Sequence, residues 1–309
     1  LTREYAESGT GSVLDLRFNA KKVFLVITPG TKGDVIGVFL DGNDTTISKS
    51  AISFEDDPYN IWCNNIHIRR FQDGIASAQN GTARNNFHWS NVYITDCGNA
   101  INLPIKTDYV SFRNVYISEI DGTTGNNVVS IKGNNIDIDG MYFVNAPNVA
   151  GSWVDSLHFE NSVNVKINKL FITNSKCDGV RILDGCKYVT VDNSFIGTCN
   201  KHGLYMAAIS GGAQPVYNKI LNTTFSGNGQ LGTASTYAGI LEGGSITVIR
   251  GCDFIDTQGT ATQYYGVNST GGTTSKITDC YFAGNAGSAV LGTPTVKRNI
   301  LSGIAGGDD

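Results

Sequence analysis

The sequence predicts an all-β protein built as a parallel β-helix, a solenoid of about nine to eleven coils. Three observations predict it. An aromatic-centred apolar segment returns every 23 to 30 residues, the apolar runs are strand-like with no helical period, and the breaks between them are Gly, Asn, Asp and Ser. A period in this range marks stacked repeats, none of which can bury its apolar face alone.

The rhythm runs from about residue 61 to 292. Asn65-Ile66-His67-Ile68 aligns with Asn91-Val92-Tyr93-Ile94 and Asn114-Val115-Tyr116-Ile117, then with Gly140-Met141-Tyr142-Phe143, Lys169-Leu170-Phe171-Ile172 and Asn193-Ser194-Phe195-Ile196. The central column reads His67, Tyr93, Tyr116, Tyr142, Phe171, Phe195, Phe225, Phe254 and Phe282. The runs are rich in Val, Ile, Tyr, Phe and Thr with partial alternation, as in Val163-Asn164-Val165-Lys166-Ile167, and no dozen residues sustain a 3.6-residue apolar period. Glycine, at 37 of 309 residues, suits tight corners. About 25 residues at roughly 3.3 Å each make one turn of three short strands, and turns about 4.8 Å apart let each strand pair with its counterpart.

Three segments are expected. Residues 1–60 read as lead-in or capping strands, with candidates at 13–18, 23–28 and 35–40, because an open end would expose unpaired strand edges. Residues 61–292 are the β-helix. Within it, excursions at 207–217 and 227–237 are rich in Gly, Ser, Ala and Thr and are expected to line a binding site. Residues 293–309 end in Gly-Ile-Ala-Gly-Gly-Asp-Asp and read as a linker or truncated end; with Leu1 in place of Met, a trimmed piece of a longer protein is expected.

At 40% hydrophobic, 16% charged and net charge −4, the composition is that of a soluble chain with an extended core. No basic cluster supports nucleic-acid binding, and no apolar run is long enough for membrane insertion. Cys63, Cys97, Cys177, Cys186, Cys199, Cys252 and Cys280 are odd in number and scattered, which is no disulfide framework, and no CxxC pair suggests zinc. No metal and no cofactor are expected, and synthesis in a reducing cytosol is. Cys252 and Cys280 precede Phe254 and Phe282 by two residues, so they should be neighbours in the stack.

A second column carries the chemistry. Asp155-Ser156-Leu157-His158-Phe159 aligns with Asp178-Gly179-Val180-Arg181-Ile182, His202-Gly203-Leu204-Tyr205-Met206, Ala238-Gly239-Ile240-Leu241-Glu242 and Tyr265-Gly266-Val267-Asn268. The apolar column Leu157, Val180, Leu204, Ile240, Val267 must face inward. The expectation is then that Asp155 and His158, Asp178 and Arg181, and His202 and Tyr205 face outward, in one patch about two coil spacings, roughly 10 Å, tall. Singly, each is ordinary surface or turn chemistry. Together they place two of the four histidines beside two aspartates in the middle of the stack.

This coil rhythm, including Asn65-Ile66-His67-Ile68-Arg69-Arg70-Phe71-Gln72-Asp73-Gly74-Ile75, resembles the pectate-lyase-like superfamily of right-handed β-helices, and within it phage tailspike depolymerases. The resemblance implies a right-handed coil, in line with the crossover rule. It also implies a bacterial surface polysaccharide (capsule, lipopolysaccharide or wall glycan) as partner, a homotrimer, and a place in the virion tail, made in the host cytoplasm and acting outside the cell. A partial match to polygalacturonase-type glycoside hydrolases rests on Asp155, Asp178 and His202-Gly203 on three successive coils. Cys177 stands where that family has the first Asp of its pair, and Gly239-Ile240-Leu241 replaces its Arg-Ile-Lys motif.

Hydrolysis needs one carboxylic acid to protonate the leaving oxygen and one carboxylate to activate water or attack carbon. Asp155 and Asp178 are the candidates, with His202 as a tuning or sugar-holding partner. Arg181 and His158 would bind an acidic or hydroxyl-rich sugar, and Tyr205 and Tyr265 offer stacking faces. Glu160, Asp184 and Glu242 are reserve acids at the substrate. Two alternatives stay open: a lyase working by β-elimination with Arg181 and His202 or Tyr205, and a receptor-binding fibre without catalysis.

Overall fold

The computed structural model describes residues 16–17, 23–25, 38–41, 50–54, 59–77, 84–120, 127–144, 154–208, 211–231, 236–258, 260–269 and 275–302. The expected strands at 13–18, 23–28 and 35–40 lie only partly within these residues, and 303–309 lies outside them. The fold is an all-β solenoid whose strands pair in parallel, coil upon coil. Among the described residues no helix is long and apolar enough to cross a membrane.

Three faces wrap each coil. On the first, Asp73–Ser77 pairs with the start of Asn99–Ser118, and the ladder climbs through Val129–Val144, Leu157–Phe159, Val180–Ile182, Leu204–Met206, Ala238–Glu242, Tyr265–Ser269 and Val290–Gly292. On the second, Val163–Thr173 pairs with Lys187–Asp192, followed by Val216–Leu221, Ser245–Arg250 and Lys276–Thr278. On the third, the end of Val163–Thr173 pairs with Phe195–Gly197, then Thr224–Ser226, Asp253–Ile255 and Tyr281–Ala283. Strands on both sides of 61–292 join these ladders. Leu16–Arg17, Val23–Leu25 and Val38–Asp41 do so at one end, and Thr295–Lys297 and Ile300–Ser302 at the other.

The expected inward column is in place: Ile101, Val129, Leu157, Val180, Leu204, Ile240 and Val267 follow one another in register and are buried. The corner between the second and third faces needs one residue with positive φ per coil, and Asn supplies it most often. Asn65, Asn91, Asn114, Asn193 and Asn222 all have φ between 44° and 55°, and Gly140 and Gly251 fill the same column. Asn tolerates this region because its short amide finds local partners, here the next coil: Asn91 Nδ2 donates to Asn64 Oδ1 at 3.0 Å and Asn114 Nδ2 to Asn91 Oδ1 at 3.2 Å.

The aromatic column needs a correction. It is two columns on opposite sides of one sheet. Tyr93, Tyr116, Tyr142, Phe171 and Phe195 sit in register on the outside, with Tyr93–Tyr116 and Tyr116–Tyr142 stacked at 4.9 and 4.7 Å. Phe195, however, pairs with Thr224, and it is Ile196 that pairs with Phe225. A one-residue step moves a side chain to the other face, so Phe225, Phe254 and Phe282 are inside, stacked at 5.2 and 4.8 Å and with 0% exposure. All seven cysteines are free and buried, and Cys252 and Cys280 are neighbours within hydrogen-bonding reach.

Candidate active site

A chain of side-chain-to-backbone hydrogen bonds climbs the corner ahead of the first face. Asn127 Oδ1 accepts the Asp155 N–H at 3.3 Å, Asp155 Oδ1 the Asp178 N–H at 3.1 Å, and Asp178 Oδ1 the His202 N–H at 3.0 Å. His202 Nδ1 in turn accepts the Ala238 N–H at 3.1 Å. Each polar side chain thus ties its coil to the next. Asp155, Asp178 and His202 are 1%, 2% and 6% exposed, so the expectation that they face outward is overturned. They stand two residues before the inward Leu157, Val180 and Leu204. That even offset gives them the inward parity, and the corner turns them into the wall of the coil.

His158, Arg181 and Tyr205 do face outward, in register on three successive coils. They cover the buried carboxylates. Asp155 Oδ2 lies 3.3 Å from Arg181 Nη1 and 3.5 Å from His158 Nδ1. The Arg181 guanidinium lies over the Tyr205 ring, 5.0 Å from its centroid, a cation–π contact. Behind Tyr205, the His202 ring is 5.9 Å from it and meets Tyr237 edge-on at 5.5 Å.

The two carboxylates are driven apart in acidity. Burial pushes Asp178 up, the charge of Asp155 adds to it, and the His202 N–H only partly offsets them, leaving its pKa at about 7. Burial works the same way on Asp155, but the His158 imidazole close by and the Arg181 charge outweigh it and hold its carboxyl below the usual range. Burial, with Lys201 and Arg181 nearby, drops the His202 pKa to about 3. His202 is therefore a neutral imidazole. With Nδ1 accepting from Ala238, its proton sits on Nε2.

Asp155, Cys177 and Asp178 bring their donor atoms within 4.8 Å of one another, the one such group among the described residues. Cys177 Sγ lies 3.9 Å from Asp178 Oδ2. Burial and the two aspartate charges raise the thiol, so it stays protonated, and Arg181 already balances Asp155. That is an environment suited to holding a proton.

The other expected substrate residues lie apart from this group. Glu160, at the far end of its strand, pairs with Lys132 at 2.7 Å. Asp184 sits in the turn after Val180–Ile182, against Gly212 of the first excursion. Tyr265 stands beside Ala238 in the corner column, edge-on to Tyr264 at 4.8 Å. Glu242 is wholly buried, where Ser269 Oγ donates to it at 2.7 Å, and faces away from any surface. Tyr237 is an addition that sequence reasoning missed, and Cys177, met there only as a departure from the polygalacturonase pattern, joins the group. The signal for Tyr237 was its place at the end of an excursion, immediately before the aligned strand Ala238–Glu242.

Residues 155–307 match the family described as right handed beta helix region, and the chain is a right-handed parallel β-helix. No curated protein sequence matches it. Among solved structures, the A-module of the mannuronan C-5 epimerase AlgE6 from Azotobacter vinelandii is similar, with TM-score 0.54 and 12% identity over 93% of this chain and 81% of that one. Tailspike protein 3 of bacteriophage CBA120 matches with TM-score 0.43 and 15% identity, over 95% of this chain and 55% of that one.

Proposed function

We propose that the protein is a tailspike-like depolymerase that binds a bacterial surface polysaccharide along its first face and hydrolyses glycosidic bonds there. One observation carries the reading: two carboxylates within 4.8 Å whose surroundings push their proton affinities in opposite directions. Pairs of that kind divide into acid and base. Each aspartate gives Oδ1 to a backbone N–H and keeps Oδ2 for chemistry. Asp178 Oδ2 delivers its proton to the leaving oxygen as the glycosidic C–O bond breaks. Asp155 Oδ2, ionised and steadied by Arg181 and His158, attacks the anomeric carbon, and water then releases the sugar. So short an approach of carboxylate oxygens favours direct attack by Asp155 over a water held between the two acids, which inverting enzymes accommodate with carboxyl groups roughly 6.5–9.5 Å apart. Arg181, Tyr205 and Tyr237 hold the sugar. His202, neutral and bonded to the backbone, keeps the corner in place and takes no proton. On this reading the protein is a homotrimer in a virion tail.

A β-elimination reading is favoured by the Arg181–Tyr205 pair, which sets a cation beside a phenol, but it must use Tyr205 as base since His202 is not basic. Both readings meet in one experiment. Native protein, Asp155→Asn, Asp178→Asn and Tyr205→Phe are incubated with acidic and neutral bacterial polysaccharides, and reducing ends and ultraviolet absorbance are recorded together. New reducing ends without absorbance, lost by about a thousandfold or more in both Asp variants, are expected. Absorbance lost only in Tyr205→Phe would hand the reaction to the lyase, and binding without any product would leave a receptor-binding fibre.

A further inference from the structure

Glu242 stands where the stack calls for an apolar side chain. Its inward column on the first face runs Phe159, Ile182, Met206 and then Glu242, with Ser269 on the next coil. The adjoining inward column of the second face changes character at the same height, from Val165 and Val189 to Asn218, Thr247 and Ser275. Glu242 and Thr247 are 0% exposed, Asn218 and Ser275 1%, and Ser269 3%. Five buried polar side chains from two faces therefore stand in adjoining inward columns over three coils and form a polar compartment of the core.

The compartment is rich in oxygen. Ser269 Oγ donates to Glu242 Oε2 at 2.7 Å and Thr247 Oγ1 to Oε1 at 3.3 Å, and Ser275 faces the same carboxyl. Among the described residues no cationic side chain pairs with Glu242. One group is left over. Asn218 Oδ1 accepts the Val189 N–H at 3.2 Å, which fixes the amide, and its Nδ2 then has no partner. Buried polar atoms seldom go unmatched, and an isolated buried carboxylate is not sustained without a counter-charge or a proton.

We propose that Glu242, Thr247, Ser269 and Ser275 form an internal monovalent-cation site. The donors are carboxylate and hydroxyl oxygens, the ligands of hard cations. A hydroxyl can donate to Glu242 and still turn a lone pair to an ion. One carboxylate supplies one negative charge, so a monovalent ion neutralises the compartment where a divalent one would leave a buried positive charge. A water in the ion's shell accepts from Asn218 Nδ2. The ion binds coils 216–221, 238–250 and 265–278 together through both faces, at a distance from Asp155 and Asp178, so it is a staple for the stack with no part in the reaction.

The test is thermal unfolding of the full chain at pH 8 in sodium chloride against choline chloride at matched ionic strength, for native protein, Glu242→Gln and Ser275→Ala. At about 0.3 M sodium the native Tm should exceed its choline value by about 2–4 °C, the shift for a ligand near ten times its Kd. Glu242→Gln should abolish the difference. Ser275→Ala, which keeps the charge, should fold and need several times more sodium for the same shift. Equal native Tm values in the two salts would overturn the site, as would a sodium effect that survives in Glu242→Gln. A Tm that falls with rising pH and ignores sodium would mean the carboxyl holds a proton in place of the ion, and would also sink the proposal.

Discussion

Asp178 gives one oxygen to the backbone of the next coil and keeps the other beside a thiol, almost out of reach of solvent. Because its folded pKa, about 7, lies above the ordinary 3.8, the native state holds a proton that the unfolded chain has already released. Native protein therefore binds more protons than unfolded protein between these values, and stability falls as pH rises through that window. Asp155 acts oppositely: its lowered pKa adds stability at neutral pH that is lost as pH falls through the folded value. Asp178→Asn mimics the protonated acid, so urea midpoints should show it equal to native protein below about pH 4 and increasingly more stable from there to about pH 7, where the difference levels off at on the order of a few kcal/mol. If Asp178 is the acid, native turnover should also fall about tenfold per pH unit above about 7. A variant that loses stability at pH 8 would mean the carboxyl is ionised in the fold. At this scale the residues singled out from sequence lie together in the structure, but not on the side of the wall expected for them. Register alignment brings Asp155, Asp178 and His202 together, but a corner hides whether a side chain lies inside or outside, and Tyr237 arrives through an excursion that carries no register at all.

Strands were the most legible elements, because a period of 2 within runs and a recurrence near 26 residues leave few other folds. The slip between Phe195 and Phe225 was not legible. Corner lengths vary by several residues from coil to coil, so a spacing of 30 where the ladder uses 29 looks like ordinary variation. Its energetic consequence is large. Phe225 is fully buried between coils, and Phe171 is 37% exposed on the outer face. Phe225→Ala should cost about 3–5 kcal/mol through lost burial and a cavity. Phe171→Ala loses little beyond one stacking partner, about 0.5–1.5 kcal/mol. Denaturant midpoints for the two variants check this. Equal costs would mean that both rings occupy one column after all, as the unaided alignment has it.

A solenoid touches only its neighbours, so its stability is distributed along one axis as coil terms and interface terms. In this chain the coils differ in what they bury. Leu157–Phe159 and Val180–Ile182 lie between apolar strands, Leu204–Met206 borders the strand of Glu242, and all three are tied at their corner by Asp155, Asp178 and His202. Farther along, Ser245–Arg250 and Lys276–Thr278 border the polar compartment, and Thr295–Lys297 and Ile300–Ser302 are exposed at every residue. Opening should therefore begin at Thr295–Lys297 and Ile300–Ser302 and move inward coil by coil, with the proposed catalytic coils among the last to open. Native-state hydrogen exchange measures this directly. Amides of the three coils carrying Asp155, Asp178 and His202 should exchange about a thousandfold more slowly than those of 295–302, corresponding to about 4 kcal/mol of additional opening free energy. Sodium, if it occupies the Glu242 compartment, should slow the coils between 216 and 278 and leave 295–302 unchanged. One common rate throughout the described strands would instead show a single cooperative unit, in which the corner ladder at Asp155 and Asp178 gives its coils no local advantage.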